Sequence, residues 1–159
     1  MATSTVSAIP PGMHSLTPHL TVAGAADAIA FYSKAFGAVE QARMPTPDGK
    51  LIHASVKIGD SMLMLVDENP AWGIVGPKAL NGTSVTIHLA VDDVDAVYAR
   101  AIEAGATVKM APTDMFWGAR YGVLIDPFGH SWSVATQIRE VSIEEAQAAM
   151  RSQFGGAAS

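Results

Sequence analysis

The stretch TPHLTV at residues 17–22 returns as TIHLAV at residues 86–91. The two hexapeptides share Thr, His, Leu and Val at the same four positions. Internal repetition of this kind marks a duplicated supersecondary unit. We therefore predict that the chain contains one structural module twice.

Each hexapeptide is followed by a segment that is predicted to be a helix of about a dozen residues. Asp92 and Asp93 can cap the start of the second helix, whereas the first has only Gly24 at this position. Both helices are expected to bury one apolar stripe. Apolar residues recur every three to four positions at Ile29, Tyr32 and Phe36, and again at Val94, Val97 or Tyr98, and Ala101 or Ile102.

Beyond each helix the sequence alternates between turn signals and strand-like runs. In the first half LIHASVKIG and SMLMLVDE follow the turn signals DGK and GD, and in the second half RYGVLI and SWSVATQI flank DPFG. Near the C-terminus, SIEE is a capping box that predicts a short helix. The predicted fold class is α+β, with two βαβββ modules and a short C-terminal helix.

These signals divide the chain into six segments. The segment between the modules, NPAWGIVGPKALNG, is rich in glycine and proline, as hinges and lids are. We predict a flexible N-terminus (1–13), a first module (14–68), a linker or lid (69–83), a second module (84–139), a C-terminal helix (140–154) and a frayed tail (155–159).

Composition excludes several classes of function. The 159 residues contain no Cys, so disulfides, thiolate nucleophiles and cysteine metal sites are excluded. The net charge is −5 and the positive residues are scattered, which argues against a nucleic-acid partner. The first residues lack a basic segment followed by an apolar run, and no apolar run is long enough to span a bilayer. We expect a cytoplasmic protein with no membrane partner.

Strand alternation separates the two repeated histidines from the residues that pack against the helices. Leu20 and Val22 lie on one side of the first strand and His19 lies on the other, and the second module repeats this arrangement around His88. The apolar side is expected to pack against the following helix, so both histidines face away from it. If the modules pack as a pseudo-twofold pair, His19 and His88 enter one cleft.

Five motifs of the chain resemble the vicinal oxygen chelate superfamily, and its PhnB-like branch in particular. They are AIAFYSKAFGA, PDGKLIHASVKIGDSMLMLVDE, TIHLAVDDVDAVYARA, FWGARYG and DPFGHSWSVAT, and they cover about residues 15–138. The superfamily includes glyoxalase I, bleomycin-resistance and fosfomycin-resistance proteins and extradiol dioxygenases. The resemblance implies two βαβββ modules whose sheets curl around a cleft, and a homodimer.

The resemblance also implies where a metal would bind. Metal-dependent members take His, Glu or Gln from the start of the first strand of each module and carboxylates from the last strands. In this sequence Thr17, Leu65, Thr86 and Ser133 take those places. None of them is a usual ligand of a catalytic divalent metal. We therefore expect no cofactor at the usual positions.

A displaced metal site is the alternative. His19 and His88 with an acid such as Asp67 would suit Zn, Fe or Ni. The competing hypothesis makes the two histidines hydrogen-bonded pocket residues. His53 also lies on a strand and can serve as a base. The candidate catalytic residues are thus His19, His88 and His53.

The FWGARYG segment is the candidate ligand-binding segment. Phe116, Trp117 and Tyr121 lie near Arg120, and two glycines let the backbone approach another group closely. Aromatic rings beside a guanidinium can hold a planar or anionic ligand. The alternative is a packed aromatic corner with Arg120 paired to an acid such as Asp126.

Three functional hypotheses follow. The first is a glyoxalase/bleomycin-resistance-type protein that binds a small aromatic or anionic molecule in the cleft, without the usual metal site. The second is an enzyme: a lyase or isomerase that uses the cleft histidines or a displaced divalent metal, or a metal-dependent oxygenase. The third, a dimeric scaffold with a vestigial pocket, rests only on the apolar composition.

Overall fold

Each copy of the repeated hexapeptide contains the first strand of a four-stranded sheet. The computed structural model describes residues 5–155, in which one unit ends at Gly82 and a second begins at Thr83. Residues 1–4 of the predicted flexible N-terminus and residues 156–159 of the predicted tail lie outside the described residues.

The first unit is a βαβββ module. Its strands are ordered β1-β4-β3-β2, with β1 parallel to β4 and the other pairs antiparallel. The predicted linker or lid contains a 3₁₀ helix, Pro70–Trp72, and a short helix α2, Pro77–Leu80. The module consists of β1 His19–Val22, α1 Ala25–Phe36, β2 Val39–Pro45, β3 Leu51–Ile58 and β4 Ser61–Asp67.

The second unit repeats this plan with the strand order β5-β8-β7-β6. A last helix, α4, spans Ile143–Phe154, and the Ser142 side chain accepts a hydrogen bond from the Glu145 N–H, as the capping box predicts. The predicted α+β fold of two βαβββ modules and a C-terminal helix is confirmed. The module consists of β5 Thr86–Ala90, α3 Val94–Ala104, β6 Thr107–Asp114, β7 Ala119–Ile125 and β8 Ser131–Gln137.

Each sheet has a helix face, which packs against α1 or α3, and an open face on the other side. Leu20 and Leu65 are register partners and both are buried, so they lie on the helix face of the first sheet. His19 and its partner Met64 lie on the open face, because successive residues of a strand point to opposite sides. None of the helices within residues 5–155 is long and apolar enough to cross a membrane.

Candidate functional site

Four aromatic rings form a continuous row that runs from the open face of the second module into the turn between β6 and β7. The His88 ring stacks on Tyr121 with the centroids 6.1 Å apart and the planes 18° apart. Tyr121 meets Trp117 edge to face at 5.5 Å, and Trp117 meets Phe116 edge to face at 5.0 Å. These spacings are those of attractive aromatic pairs. We call these four residues the aromatic row.

The row crosses the sheet because the strand beneath it carries small side chains. His88 lies on β5 and Tyr121 on β7, with β8 between them. The β8 residues in register with them are Ser133 and Ala135. Because neither side chain stands high above the sheet, the two rings can meet over β8.

Ser133 also fixes the orientation of the His88 ring. The His88 Nδ1 and the Ser133 Oγ are 2.7 Å apart, and Ser133 is buried while His88 is exposed. A hydrogen bond at one ring nitrogen determines the role of the other. The arrangement therefore leaves Nε2 of His88 for a ligand or a proton.

Arg120 does not join the aromatic row, so the prediction that it lies beside the rings is wrong. It adjoins Tyr121 in β7 and therefore points to the helix face. There its Nε and Nη2 donate to the two carboxylate oxygens of Asp95 on α3 at 2.8 and 3.0 Å, and its Nη1 donates to Asp114 at 2.9 Å. The guanidinium joins β7 to α3 and β6.

The acid proposed as the partner of Arg120 in the alternative hypothesis is also wrong. Asp126 lies in the turn before β8 and is buried. Its Oδ2 accepts the indole N–H of buried Trp132 at 2.9 Å, and its Oδ1 accepts the backbone N–H groups of Phe128 and His130. These bonds use the Asp126 carboxylate to hold the turn and the indole together.

The paired charges of Arg120 and Asp95 stabilise each other's ionised forms. The hydrogen bond from Arg120 lowers the pKa of Asp95 below its usual value. The hydrogen bonds to Asp95 and Asp114 raise the pKa of Arg120 above its usual value. Both partners therefore remain charged at neutral pH.

The two glycines of FWGARYG allow close approaches within the module. A Cβ on Gly118, whose φ is +95°, would lie 2.4 Å from the backbone oxygen of Arg139. A Cβ on Gly122 would lie 3.0 Å from the ring of Tyr98 on α3. Internal packing thus accounts for both glycines.

In the first module the open face brings two other candidate residues together. His19 on β1 and His53 on β3 have ring centroids 6.3 Å apart, in an edge-to-face arrangement. His19 is exposed and His53 is half-buried. Two of the three predicted catalytic histidines are therefore neighbours within one module.

Asp67 binds the backbone at the start of two elements. Its Oδ1 accepts the N–H groups of Gly24 and Ala25 at 2.9 Å each, and its Oδ2 accepts the N–H of Leu51 at 2.8 Å. The carboxylate thus caps α1 and fixes the start of β3. Asp67 shares the helix face with Leu65, whereas His19 lies on the open face, so the structure does not bring Asp67 together with His19 as the displaced set of His19, His88 and Asp67 requires.

The first module also contains a pocket that the sequence-based hypotheses missed. Its volume is about 520 Å³, which is in the range of small-molecule sites. The β2–β3 turn, the end of β4 and residues 69–74 form its walls, with Ile52 and the exposed Trp72 on its lining. The segment predicted to be a linker or lid was the sequence signal that could have indicated this pocket, because part of the segment forms one of its walls.

The family model that matches the chain is Glyoxalase, the Glyoxalase/Bleomycin resistance protein/Dioxygenase superfamily, over residues 12–134. The chain belongs to this superfamily. A Mycobacterium tuberculosis protein, Rv0887c, is 54% identical over 145 residues, which cover 89% of this chain and 85% of the relative.

Solved structures agree with the superfamily fold. Protein PA1353 of Pseudomonas aeruginosa is 28% identical with a TM-score of 0.64, and the match covers 79% of this chain and 99% of the other. A PhnB protein of Bacillus cereus has a TM-score of 0.62 at 17% identity, and the match covers 77% of this chain and 99% of the other. The second likeness concerns the fold alone.

The superfamily's usual metal positions do not fit a divalent metal in this chain. Thr17 precedes β1, and the Thr86 hydroxyl donates to Ser131 Oγ at 3.1 Å. The prediction that Leu65 takes the carboxylate position is wrong, because it is buried on the helix face and Met64 takes the open-face position. Hydroxyls and a thioether are not the usual ligands of catalytic divalent metals.

Among residues 5–155, no three His, Asp or Glu side chains form a group that could hold a metal ion. The groups on the open faces include stacked rings in the second module and imidazoles in both modules. We derive no step through a divalent metal.

Proposed function

We propose that the protein binds a small planar aromatic molecule on the aromatic row, with no metal at the usual superfamily positions. The observation that supports this function is the continuous contact of four rings, two on the open face and two in the adjoining turn. Trp117 is 39% exposed and His88 is exposed, so both offer ring surface to a ligand. Each aromatic contact adds about 0.5–1.5 kcal/mol beyond the burial of area.

Within the FWGARYG segment, the pairing of Arg120 favours a neutral aromatic molecule over an anionic one. Arg120 is the cation of the FWGARYG segment, and its guanidinium binds Asp95 and Asp114 on the helix face. A second cation beside the row, Arg139, donates from its Nη2 to the Phe116 backbone oxygen at 3.2 Å. The side chains in contact in the row contribute rings, one hydroxyl, one imidazole and one indole N–H. A ring system with a hydrogen-bonding substituent is the ligand class that these groups recognise.

Calorimetric titration with 2-naphthylmethanol, with 2-naphthoate as its anionic counterpart, tests this function. We expect the neutral probe to bind more tightly. Trp117→Ala and Tyr121→Ala should each weaken its binding by about three- to tenfold, which is the loss of one aromatic contact. The matched control is Trp72→Ala, which removes an exposed indole from the first module.

The Trp72 variant also separates the aromatic row from the pocket of the first module. Unchanged affinity in Trp117→Ala and Tyr121→Ala, together with weaker binding in Trp72→Ala, would place the ligand in the pocket and refute the proposal. Tighter binding of 2-naphthoate than of 2-naphthylmethanol would refute the preference for a neutral ligand. Circular dichroism checks that each variant is folded.

The second candidate function is proton transfer by a lyase or isomerase, and the contact of His88 with Ser133 favours it. In the tautomer in which Nδ1–H donates to Ser133 Oγ across the 2.7 Å contact, Nε2 carries no proton and can act as a base. Deuterium uptake from D₂O into small α-hydroxyketones and hemithioacetals would report this activity. We expect His88→Ala to abolish the uptake and His19→Ala to preserve it. Equal loss in both variants, or no uptake by the unmodified protein, would count against this candidate.

A further inference from the structure

The two modules place different side chains at four equivalent positions of their open faces. The equivalence follows from register, because His19 pairs with Met64 as His88 pairs with Ser133. On the next strands the partners of Met64 and Ser133 are Ser55 and Val123, and His53 and Tyr121 each lie two residues before that partner on the same face. In the second module the four residues are His88, Ser133, Tyr121 and Thr113. In the first module they are His19, Met64, His53 and Met44.

The four residues of the first module lie on adjacent strands of one face. Met64 on β4 lies between the strands of His19 and His53, whose ring centroids are 6.3 Å apart. Met44 on β2 is the register partner of His53. Direct antiparallel partners on one face have Cβ atoms about 4.5–5.5 Å apart, so the side chains of His53 and Met44 are within reach of each other. The rings of His19 and His53 lie on either side of β4, the strand that carries Met64.

These side chains are accessible and their donor atoms are available. Met44 is 52% exposed, and Met64 is only half-buried, which distinguishes both from the buried core. Within residues 5–155, neither His19 nor His53 makes a hydrogen bond or an ion pair, whereas His88 Nδ1 binds Ser133. The first module therefore offers imidazole nitrogens and thioether sulfurs at a place where the second offers one engaged imidazole and hydroxyls.

The donor set decides which ion it fits. Thioether sulfur is a soft ligand that selects Cu(I), while hard divalent ions prefer carboxylates and water. No third His, Asp or Glu joins the two imidazoles among residues 5–155. We propose that His19, His53, Met64 and Met44 form a binding site for a soft monovalent metal ion, with Cu(I) as its representative. Imidazole and thioether ligands carry no charge, so the bound ion keeps its single positive charge. A monovalent ion tolerates such an uncharged ligand set.

Anaerobic titration with Cu(I) in competition with bicinchoninate tests the site on the full chain. We expect one Cu(I) per chain, and a loss of affinity of about tenfold or more in His19→Ala and in Met64→Leu, because each removes one ligand atom. Met64→Leu keeps the volume and apolar character of the side chain, so its fold is preserved. The matched controls are His88→Ala and Met110→Leu. Met110 is the register partner of Val123, which shares the open face with Tyr121, so both changes alter the open face of the second module and should leave Cu(I) affinity unchanged.

Redox-inert Ag(I) provides a second measurement. Its addition should shift the ¹H–¹³C methyl signals of Met44 and Met64 and leave that of Met110 in place. The proposal is overturned if no stoichiometric Cu(I) binds, if Met64→Leu binds as tightly as the unmodified chain, or if Zn²⁺ binds as tightly as Cu(I). Trp117→Ala should keep full Cu(I) affinity, so failure of the aromatic-ligand function and failure of the metal site are distinguishable.

Discussion

The two modules start their helices by different means. At α1, Gly24 has no side chain to serve as a cap, and Asp67 at the end of β4 accepts the first N–H groups. At α3, Asp93 caps the first turn with its own carboxylate, and Thr136 on β8 accepts the Val94 N–H at 2.8 Å. Both modules satisfy the N–H of the first helical residue, Ala25 or Val94, with a side chain from the last strand of the sheet. The first module uses a distant charge, and the second uses a hydroxyl together with a local charge that binds the Ala96 N–H.

Asp67 and Thr136 hold the same place in the two sheets. Asp67 is the register partner of Val22, the last residue of β1, and Thr136 donates to the backbone oxygen of Val91, the residue that repeats Val22. A carboxylate at the end of a strand can thus cap the start of a helix instead of taking part in a reaction. This difference makes the first module more dependent on one side chain than the second.

Asp67→Ala should cause the largest loss of stability. It removes a charged acceptor from three backbone N–H groups, and we expect the free energy of unfolding to fall by about 3–5 kcal/mol. Thr136→Val, the matched change in the second module, should cost about 1–2 kcal/mol because Asp93 still caps α3. Urea unfolding measures both values.

Hydrogen exchange shows which module each change affects. The amides of α1 should lose protection in Asp67→Ala, and those of α3 should lose protection in Thr136→Val. Equal losses of unfolding free energy in Asp67→Ala and Thr136→Val would contradict this difference between the modules. They would mean that the distant carboxylate is no more important than the hydroxyl. Asp67→Asn, which keeps one acceptor oxygen, should lie between Asp67→Ala and the unmodified chain.

The modules also differ in how the helix meets the sheet. In the first, Ile29 on α1 and Ala54 on β3 take the places that Tyr98 on α3 and Gly122 on β7 take in the second. The Tyr98 hydroxyl donates to a backbone oxygen of β7 at 2.8 Å, and burial raises the pKa of Tyr98. In the second module the large Tyr98 side chain on α3 thus lies opposite a glycine, Gly122, on β7.

Gly122→Ala should therefore destabilise the second module by overpacking. The new Cβ would meet the Tyr98 ring at 3.0 Å, and we expect a cost of about 1–3 kcal/mol. Combining Gly122→Ala with Tyr98→Ile gives the second module the pair of residues that the first module has at Ile29 and Ala54. The double variant should be more stable than the sum of the single losses predicts, as a double-mutant cycle with urea unfolding would show. Strict additivity would mean that the two positions are not coupled.

The fold was predictable because its signals are local. The repeated hexapeptide, the spacing of apolar residues in α1 and α3 and the capping box before α4 each specify an element within a dozen or so residues. Asp93 as a cap also follows from its position before the helix. The role of Asp67 did not follow, because its partners Gly24 and Ala25 lie more than forty residues earlier.

The candidate site was predictable only in part, for two physical reasons. Phe116, Trp117 and Tyr121 meet as their proximity in sequence suggests, but alternation in β7 sends Arg120 to the other face. A register error of one residue put Leu65 on the wrong side of β4, because the side-chain period of a strand is two. Alternation applied to RYGVLI would have separated Arg120 from the rings.

The smallest expected effect concerns two surface ion pairs, one in each module. Arg43 and Glu40 are close in sequence on β2, whereas Arg120 joins β7 to Asp95 on α3. Both acids have a lowered pKa because an arginine hydrogen bond favours the carboxylate. Because the folded pKa is below the unfolded one, each pair's contribution is complete above the unfolded pKa and is lost as the pH falls through the folded pKa.

Arg120→Gln should raise the pKa of Asp95 towards its usual value, and a ¹³C carboxyl titration followed by NMR measures the shift. Because the pair is exposed, the stability change should be slight and should shrink further in high salt. Arg43→Gln is the matched control, with the same effect on Glu40 and none on contacts between α3 and its sheet. Arg120→Gln should leave the affinity for 2-naphthylmethanol unchanged, since the guanidinium lies on the helix face. A loss of affinity for 2-naphthylmethanol in Arg120→Gln but not in Arg43→Gln would show that Arg120 belongs to the ligand site.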